Sequence, residues 1–381
     1  MALLKAIVFV ATASAVVADF SHPMHFRKVD ASTAKSVAAF KKLNTTGDGL
    51  LVNEQGFWFS HFTVGGSDDL EILIDTGSSD AIMNPGIYQP SPSSRNAGRR
   101  FHIAYATTNP DGSGSLSVRS VSQSTTILTR DSLTNMIHLF LCQAAGKVYY
   151  DVITQHGANL SVAQQVIGDI DSPTSPPTFP HDGLIGFAGQ DGASLQDNPF
   201  INSLCSTGAL SACRFGLALR TDSTGTLHYG TVATNEFSGA LTTVPITNAW
   251  SVTGSVTVNG KTIASRLDIA TDSGTTVIFG PISVVSKVFK AAGIKPVQTD
   301  NGIQGHYSCS KPPVVGFSLG GQNFNIDPKA LAFESSGDDC TASLIGTNSF
   351  GSTWLLGQAF FQGRYIDHNI DDNTMGFANL T

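Results

Sequence analysis

Leu70-Glu71-Ile72-Leu73-Ile74-Asp75-Thr76-Gly77-Ser78-Ser79 is the stretch on which the fold turns, because a second copy of its plan lies far downstream. There Leu267-Asp268-Ile269-Ala270-Thr271 leads into Asp272-Ser273-Gly274-Thr275-Thr276. Each reads as a strand that ends in Asp, a small hydroxyl residue, Gly and a second hydroxyl residue. One such triplet is often only a turn. Two, each behind a strand-like run and one in each half, would arise by chance in well under about 1% of chains of ordinary composition.

The residue types explain one another chemically. Two carboxylates brought together cannot both ionise cheaply, so Asp75 and Asp272 would share a proton over a broad acid range. The ionised member takes a proton from a bound water and the protonated member polarises a carbonyl, so one pair supplies base and acid. Gly77 and Gly274 permit the tight loop and close backbone approach. The hydroxyls of Ser78 and Thr275 are placed to bond the outer carboxylate oxygens, and Thr76 and Ser273 complete the expected carboxylate-orienting set.

Working outward, the chain is 381 residues long, 41% apolar and only 13% charged, with 38 Gly and short apolar runs broken by turn residues. This composition predicts an all-β protein with a large core and more than one compact unit. Residues 1–18 carry Lys5 beside an apolar run that ends in Val16-Val17-Ala18, the pattern of a secretory signal peptide. No later apolar run is long enough to cross a membrane. Residues 19–50 carry Arg27, Lys28, Lys35, Lys41 and Lys42, whereas positions 51–381 hold 16 Lys and Arg against 26 Asp and Glu. A basic leader on an acidic body predicts a removable propeptide docked by charge, the alternative being a disordered linker. The acidic body has no basic stripe, so nucleic acid is not an expected partner.

Five cysteines leave one over in an exported protein. Cys205 and Cys213 are close in sequence, and Cys309 and Cys340 bracket a strand-rich stretch; pairing them leaves Cys142. Asn44, Asn159 and Asn379 each head an N-x-Ser/Thr sequon, with Asn159 the expected glycosylation site. The ten histidines lack metal-ligand spacing, so no metal or cofactor is expected. No Gly-x-Ser-x-Gly elbow is recognised, which argues against a serine hydrolase of the α/β type.

On its two Asp loops the chain resembles the pepsin-like aspartic proteases, in particular the secreted, fungal, polyporopepsin-like type. The resemblance runs from about Phe57 to Ala378. Asp182-Gly183-Leu184-Ile185-Gly186-Phe187-Ala188 is similar to the segment that threads beneath the first loop, and Trp354-Leu355-Leu356-Gly357-Gln358-Ala359-Phe360-Phe361 to its partner in the second lobe. Met375-Gly376-Phe377-Ala378 resembles the closing strand. The resemblance implies two similar β lobes, 51–220 and 221–381, with the active-site cleft between them. It implies an aspartic endopeptidase acting on protein substrates at acid pH and inhibited by pepstatin-type compounds; nothing in the sequence demands an oligomer, so a monomer is expected, and the signal peptide makes it secreted or vacuolar. The remaining rival is a protein of the same fold used for binding alone, which intact Asp loops argue against.

Two departures stand out. Tyr105 is the candidate flap tyrosine, but the Gly and Ser that usually follow closely are displaced to Gly112 and Ser113, and the family tryptophan after the first loop is Ile82. The 26 residues 118–143 interrupt the family pattern, which resumes at Ala144-Ala145-Gly146-Lys147. They read as the translation of a retained intron: the segment keeps the frame and carries the odd Cys142. A genuine surface insertion is the alternative.

Overall fold

The computed structural model describes residues 48–54, 57–106, 117–118, 141–158, 160–171, 181–299 and 302–381. The expected signal peptide, the expected propeptide except its last three residues, Asn159 and most of residues 118–143 lie outside the described residues. The side chains of Tyr105 and Cys142 do too. Strands dominate, as the short alternating runs require, and the helices are short, such as Phe200–Ser206 and Ile282–Ala292.

Each half repeats one arrangement. In the first, the strand Phe57–Val64 pairs antiparallel with Ser67–Asp75, which carries the first Asp to its end. Gly183–Gly186 then runs parallel to that strand, with Gly186 opposite Asp75, and antiparallel to Ala81–Met83. In the second, Ser251–Val258 pairs with Lys261–Thr271, which delivers Asp272. Trp354–Leu356 runs parallel to that strand, with Leu356 opposite Thr271, and antiparallel to Ile278–Gly280. Leu184, Ile185, Trp354 and Leu356 are almost completely buried, which is why these short runs read as unbroken apolar sequence.

A shared sheet joins the halves. Arg214–Leu219 pairs with Thr224–Tyr229 on one side and Arg364–Asn369 on the other. Asp48–Glu54 pairs with Thr224–Tyr229, and Arg364–Asn369 with Thr374–Asn379. The division drawn from sequence at 220/221 therefore falls in the turn of a hairpin whose two strands both belong to this common sheet. Likewise, residues 48–50 of the expected propeptide open a sheet strand, with Asp48 opposite His228.

The strand that carries Tyr105, Arg95–Ala106, pairs antiparallel with Leu141–Gln155 from Arg95↔Tyr150 to Ala106↔Leu141 and also with the short strand Ser117–Val118, Tyr105 opposite Ser117. Both expected disulfides are present, Cys205–Cys213 and Cys309–Cys340, with Cα atoms 5.2 and 5.1 Å apart.

One motif needs correction. Gly316-Phe317-Ser318-Leu319-Gly320 does have the spacing of a serine nucleophile elbow. Ser318, however, lies inside the strand Val315–Leu319, which turns directly into the antiparallel strand Gln322–Asn325 and not into a helix. The elbow geometry is absent there. Among the described residues, no helix is long and apolar enough to cross a membrane.

Candidate active site

The two Asp residues are fixed through their backbones first. Phe187 donates its N–H to the Asp75 carbonyl at 2.7 Å, and Asp272 donates its own to the Leu356 carbonyl at 3.0 Å. The segment beneath each loop passes so close that a side chain would not fit. A Cβ on Gly186 would sit 2.5 Å from the Ser78 backbone, and one on Gly357 2.3 Å from the Val277 oxygen. Both loops are thus seated on glycine.

The carboxylates are next. Asp75 and Asp272 are fully buried, and they approach one another across Gly77, where a Cβ would lie 2.5 Å from Asp272 Oδ1. Each inner oxygen takes a backbone N–H: Gly77 donates to Asp75 Oδ1 and Gly274 to Asp272 Oδ1, both at 2.8 Å. Each outer oxygen takes a hydroxyl, from Ser78 to Asp75 Oδ2 and from Thr275 to Asp272 Oδ2 at 2.6 Å. Of the six orienting residues expected from sequence, Gly77, Ser78, Gly274 and Thr275 bond a carboxylate oxygen.

Thr76 and Ser273 do something different. The Thr76 N–H donates to Ser273 Oγ at 3.0 Å, and the Ser273 N–H returns a bond to Thr76 Oγ1 at 2.9 Å. The Ser273 hydroxyl donates to the Ile74 carbonyl at 2.8 Å, and the Thr76 hydroxyl to the Thr271 carbonyl at 3.5 Å. Their hydroxyls bond across to the opposite loop and clamp the two loops to one another, and are not the groups bonded to the carboxylates.

Burial pushes the Asp272 carboxyl well above the usual range, and the neighbouring charge of Asp75 and a hydrogen bond between the two carboxyls add to the effect. The Thr275 and Gly274 hydrogen bonds pull the other way. A desolvated pair of this kind holds one proton between two acids where isolated carboxyls would hold none. It can accept a proton and donate one in the same encounter.

The family model for eukaryotic aspartyl proteases matches residues 57–380. This chain is a eukaryotic aspartyl protease. As a pepsin-like aspartic endopeptidase it hydrolyses peptide bonds. It is similar to the secreted aspartyl protease 1 of Malassezia globosa, with 27% identity over 82% of this chain and 71% of that one. An aspartic protease of Phaffia rhodozyma shares 28% over 87% and 79% of the two chains. Bovine pepsin A shares 26% over 82% and 81%. The crystal structure of an aspartic proteinase from Irpex lacteus superimposes with a TM-score of 0.69 at 18% identity, covering 88% of this chain and 98% of that one. That last likeness shows the shared fold.

Within the protease, Ile82 occupies the tryptophan position as a fully buried core residue clustered with Phe101 and Ile103. Three residues around the pair were not legible from the motifs. Asp80 is buried and accepts the N–H groups of Ser194 and Leu195 at 2.9 Å each, and burial raises its carboxyl. Trp250 donates its indole N–H to the Phe187 carbonyl at 2.9 Å, while its own carbonyl accepts the Thr271 N–H at 3.0 Å, so it brackets both loops. Gln358 donates its side-chain amide to the Ser273 carbonyl. No sequence pattern marks them, since every partner is distant in the chain.

Proposed function

We propose that Asp75 and Asp272 are the catalytic pair of a secreted endopeptidase that works in acid. The buried pair with matched hydrogen-bond cradles carries this reading. A water held between the carboxyls gives one proton to the ionised member as its oxygen attacks the scissile carbonyl carbon. The protonated member gives its proton to the carbonyl oxygen. The resulting diol collapses as the C–N bond breaks and the amide nitrogen takes up a proton, leaving an acid, an amine and a pair with one proton again. No covalent intermediate and no metal enters. Peptide substrates lie extended in the cleft, bonded along their backbones, with Tyr105 on the hairpin that covers them.

Residues 1–18 are removed on export, and the basic segment 19–50 is released as acid neutralises carboxylates on the body that holds it. The relative named as secreted supports an extracellular destination, and the enzyme works as a monomer. Residues 118–143 are the translation of a retained intron; a dominant transcript that keeps those codons refutes this.

The test is digestion of a denatured protein at about pH 3–5, the range over which such a pair shares a proton. The secreted chain is assayed with and without residues 118–143, and with and without pepstatin. Pepstatin-sensitive cleavage that disappears in Asp272→Asn is the expected result. A folded, secreted protein that cleaves nothing across that range overturns the reading in favour of binding alone.

A further inference from the structure

Behind the second Asp loop the protein places an amide where the first lobe has a phenyl ring. Gly186-Phe187-Ala188 and Gly357-Gln358-Ala359 occupy matching positions beneath their loops. Phe187 turns into an aromatic core, with its ring 5.1 Å from Phe215 and 6.3 Å from Phe200. Gln358 instead stays at the loop, 1% exposed, and its Nε2 donates to the Ser273 carbonyl. Its backbone is held there too: Gln358 N–H reaches the Thr275 carbonyl at 2.7 Å, and Ala359 N–H the Thr276 carbonyl at 3.2 Å.

The Ser273 carbonyl and the Gly274 N–H belong to one peptide group. That N–H is the donor to Asp272 Oδ1 at 2.8 Å. A bond accepted at the carbonyl end of a peptide polarises it and strengthens the bond donated at the other end, so the amide of Gln358 acts on Asp272 through one intervening peptide. Phe187 has no side-chain donor with which to do the same for Asp75. The remaining atom of the amide makes a second argument. Gln358 Oε1 is buried with no hydrogen-bond partner among the described residues. An unpartnered buried acceptor costs stability, and an apolar side chain would remove that cost. An amide nonetheless occupies the position.

We infer that Gln358 is a positioning residue that sets the working pH of the Asp75–Asp272 pair by reinforcing, through the Ser273–Gly274 peptide, the hydrogen bond to the Asp272 carboxylate. This rests on the reading of Asp272 as half of the catalytic pair. The reinforcement favours the anion, so its removal raises the pH at which the pair gains its working charge. Losing a fraction of one charge-assisted bond displaces the profile by about half a pH unit.

The experiment is the pH profile of kcat/KM for the secreted enzyme on a pool of fluorogenic peptides. Gln358→Met keeps the length and removes the donor; Gln358→Glu restores a donor whenever its carboxyl is protonated. In Gln358→Met the acid limb should move up by about half a unit, seen as an approximately threefold loss of kcat/KM on the acid flank. Gln358→Glu should follow the parent there. A folded Gln358→Met enzyme with the parent profile overturns the inference, as does Gln358→Glu displaced as far as Gln358→Met. Should Gln358→Met not fold, a displaced acid limb in Gln358→Glu still overturns it and a coincident one supports it. Parent activity abolished by Asp272→Asn is the control: without it the reading of the site fails, and with it an unshifted profile refutes only the role of Gln358.

Discussion

The Asp75 loop and the Asp272 loop are alike where they touch the carboxylates and unlike one layer behind. At the first layer each Asp has a Gly N–H on one oxygen and a hydroxyl on the other. Behind it, Phe187 builds an aromatic core under the first loop, while Gln358 keeps a polar contact under the second. The reaction demands two carboxyls in one plane with one proton between them, and that demand reaches only as far as the groups that bond them. Beyond that shell each half packs as its own surroundings allow.

The largest expected effect tests the likeness. Asp75→Asn and Asp272→Asn should each reduce kcat/KM by about a thousandfold, since either removes the shared-proton chemistry whole. Both variants should still melt cooperatively. A loss confined to one of them would break the symmetric reading.

The next effect lies where the halves meet. His368 is fully buried in the strand Arg364–Asn369, stacked on Phe215 with centroids 4.4 Å apart and set edge-on to Trp250 at 4.8 Å. Neither ring nitrogen has a hydrogen-bond partner among the described residues; the carbonyls of Ile366 and Phe215 favour the cation without closing a bond. Burial therefore lowers its pKa from 6.5 to about 3. The unfolded chain takes up this proton first, so stability is lost as pH falls below 6.5 and the loss levels off below about pH 3. By pH 4 the cost is about 3 kcal/mol. Urea unfolding of His368→Phe should match the parent near pH 7 and show the greater stability at pH 4. Equal acid sensitivity in the two proteins would remove His368 from the account.

The smallest effect sharpens the comparison at the clamp. Thr76→Val and Ser273→Ala should each cost about 1–3 kcal/mol in urea unfolding. Ser273→Ala should cost more, because its hydroxyl reaches the Ile74 carbonyl at 2.8 Å while that of Thr76 reaches Thr271 at 3.5 Å. The double variant should lose less than the sum, since the two hydroxyls hold one pair of loops. Additive losses would mean that the loops are held separately.

The sequence by itself determined the local plan. Strand, Asp, hydroxyl, Gly and hydroxyl in order fix how a carboxylate is cradled, because those bonds close within three residues of the Asp. The segments 182–188 and 354–361 were legible through their likeness to the family's pattern, and they supply the strands beneath the two loops. Gly77 and Gly274 announced a close backbone approach, and the cysteine spacing suggested both disulfides. Only the tertiary structure decided what crosses between distant segments. It turned Thr76 and Ser273 from carboxylate-orienting residues into a clamp. It put the hairpin Arg214–Leu219 and Thr224–Tyr229 into a sheet shared by both halves, and it made a plain hairpin of the Ser318 motif. It also brought Trp250, Asp80 and Gln358 to the pair. Their hydrogen bonds join residues far apart in the chain, and no spacing rule records a partner that only folding brings within 3 Å.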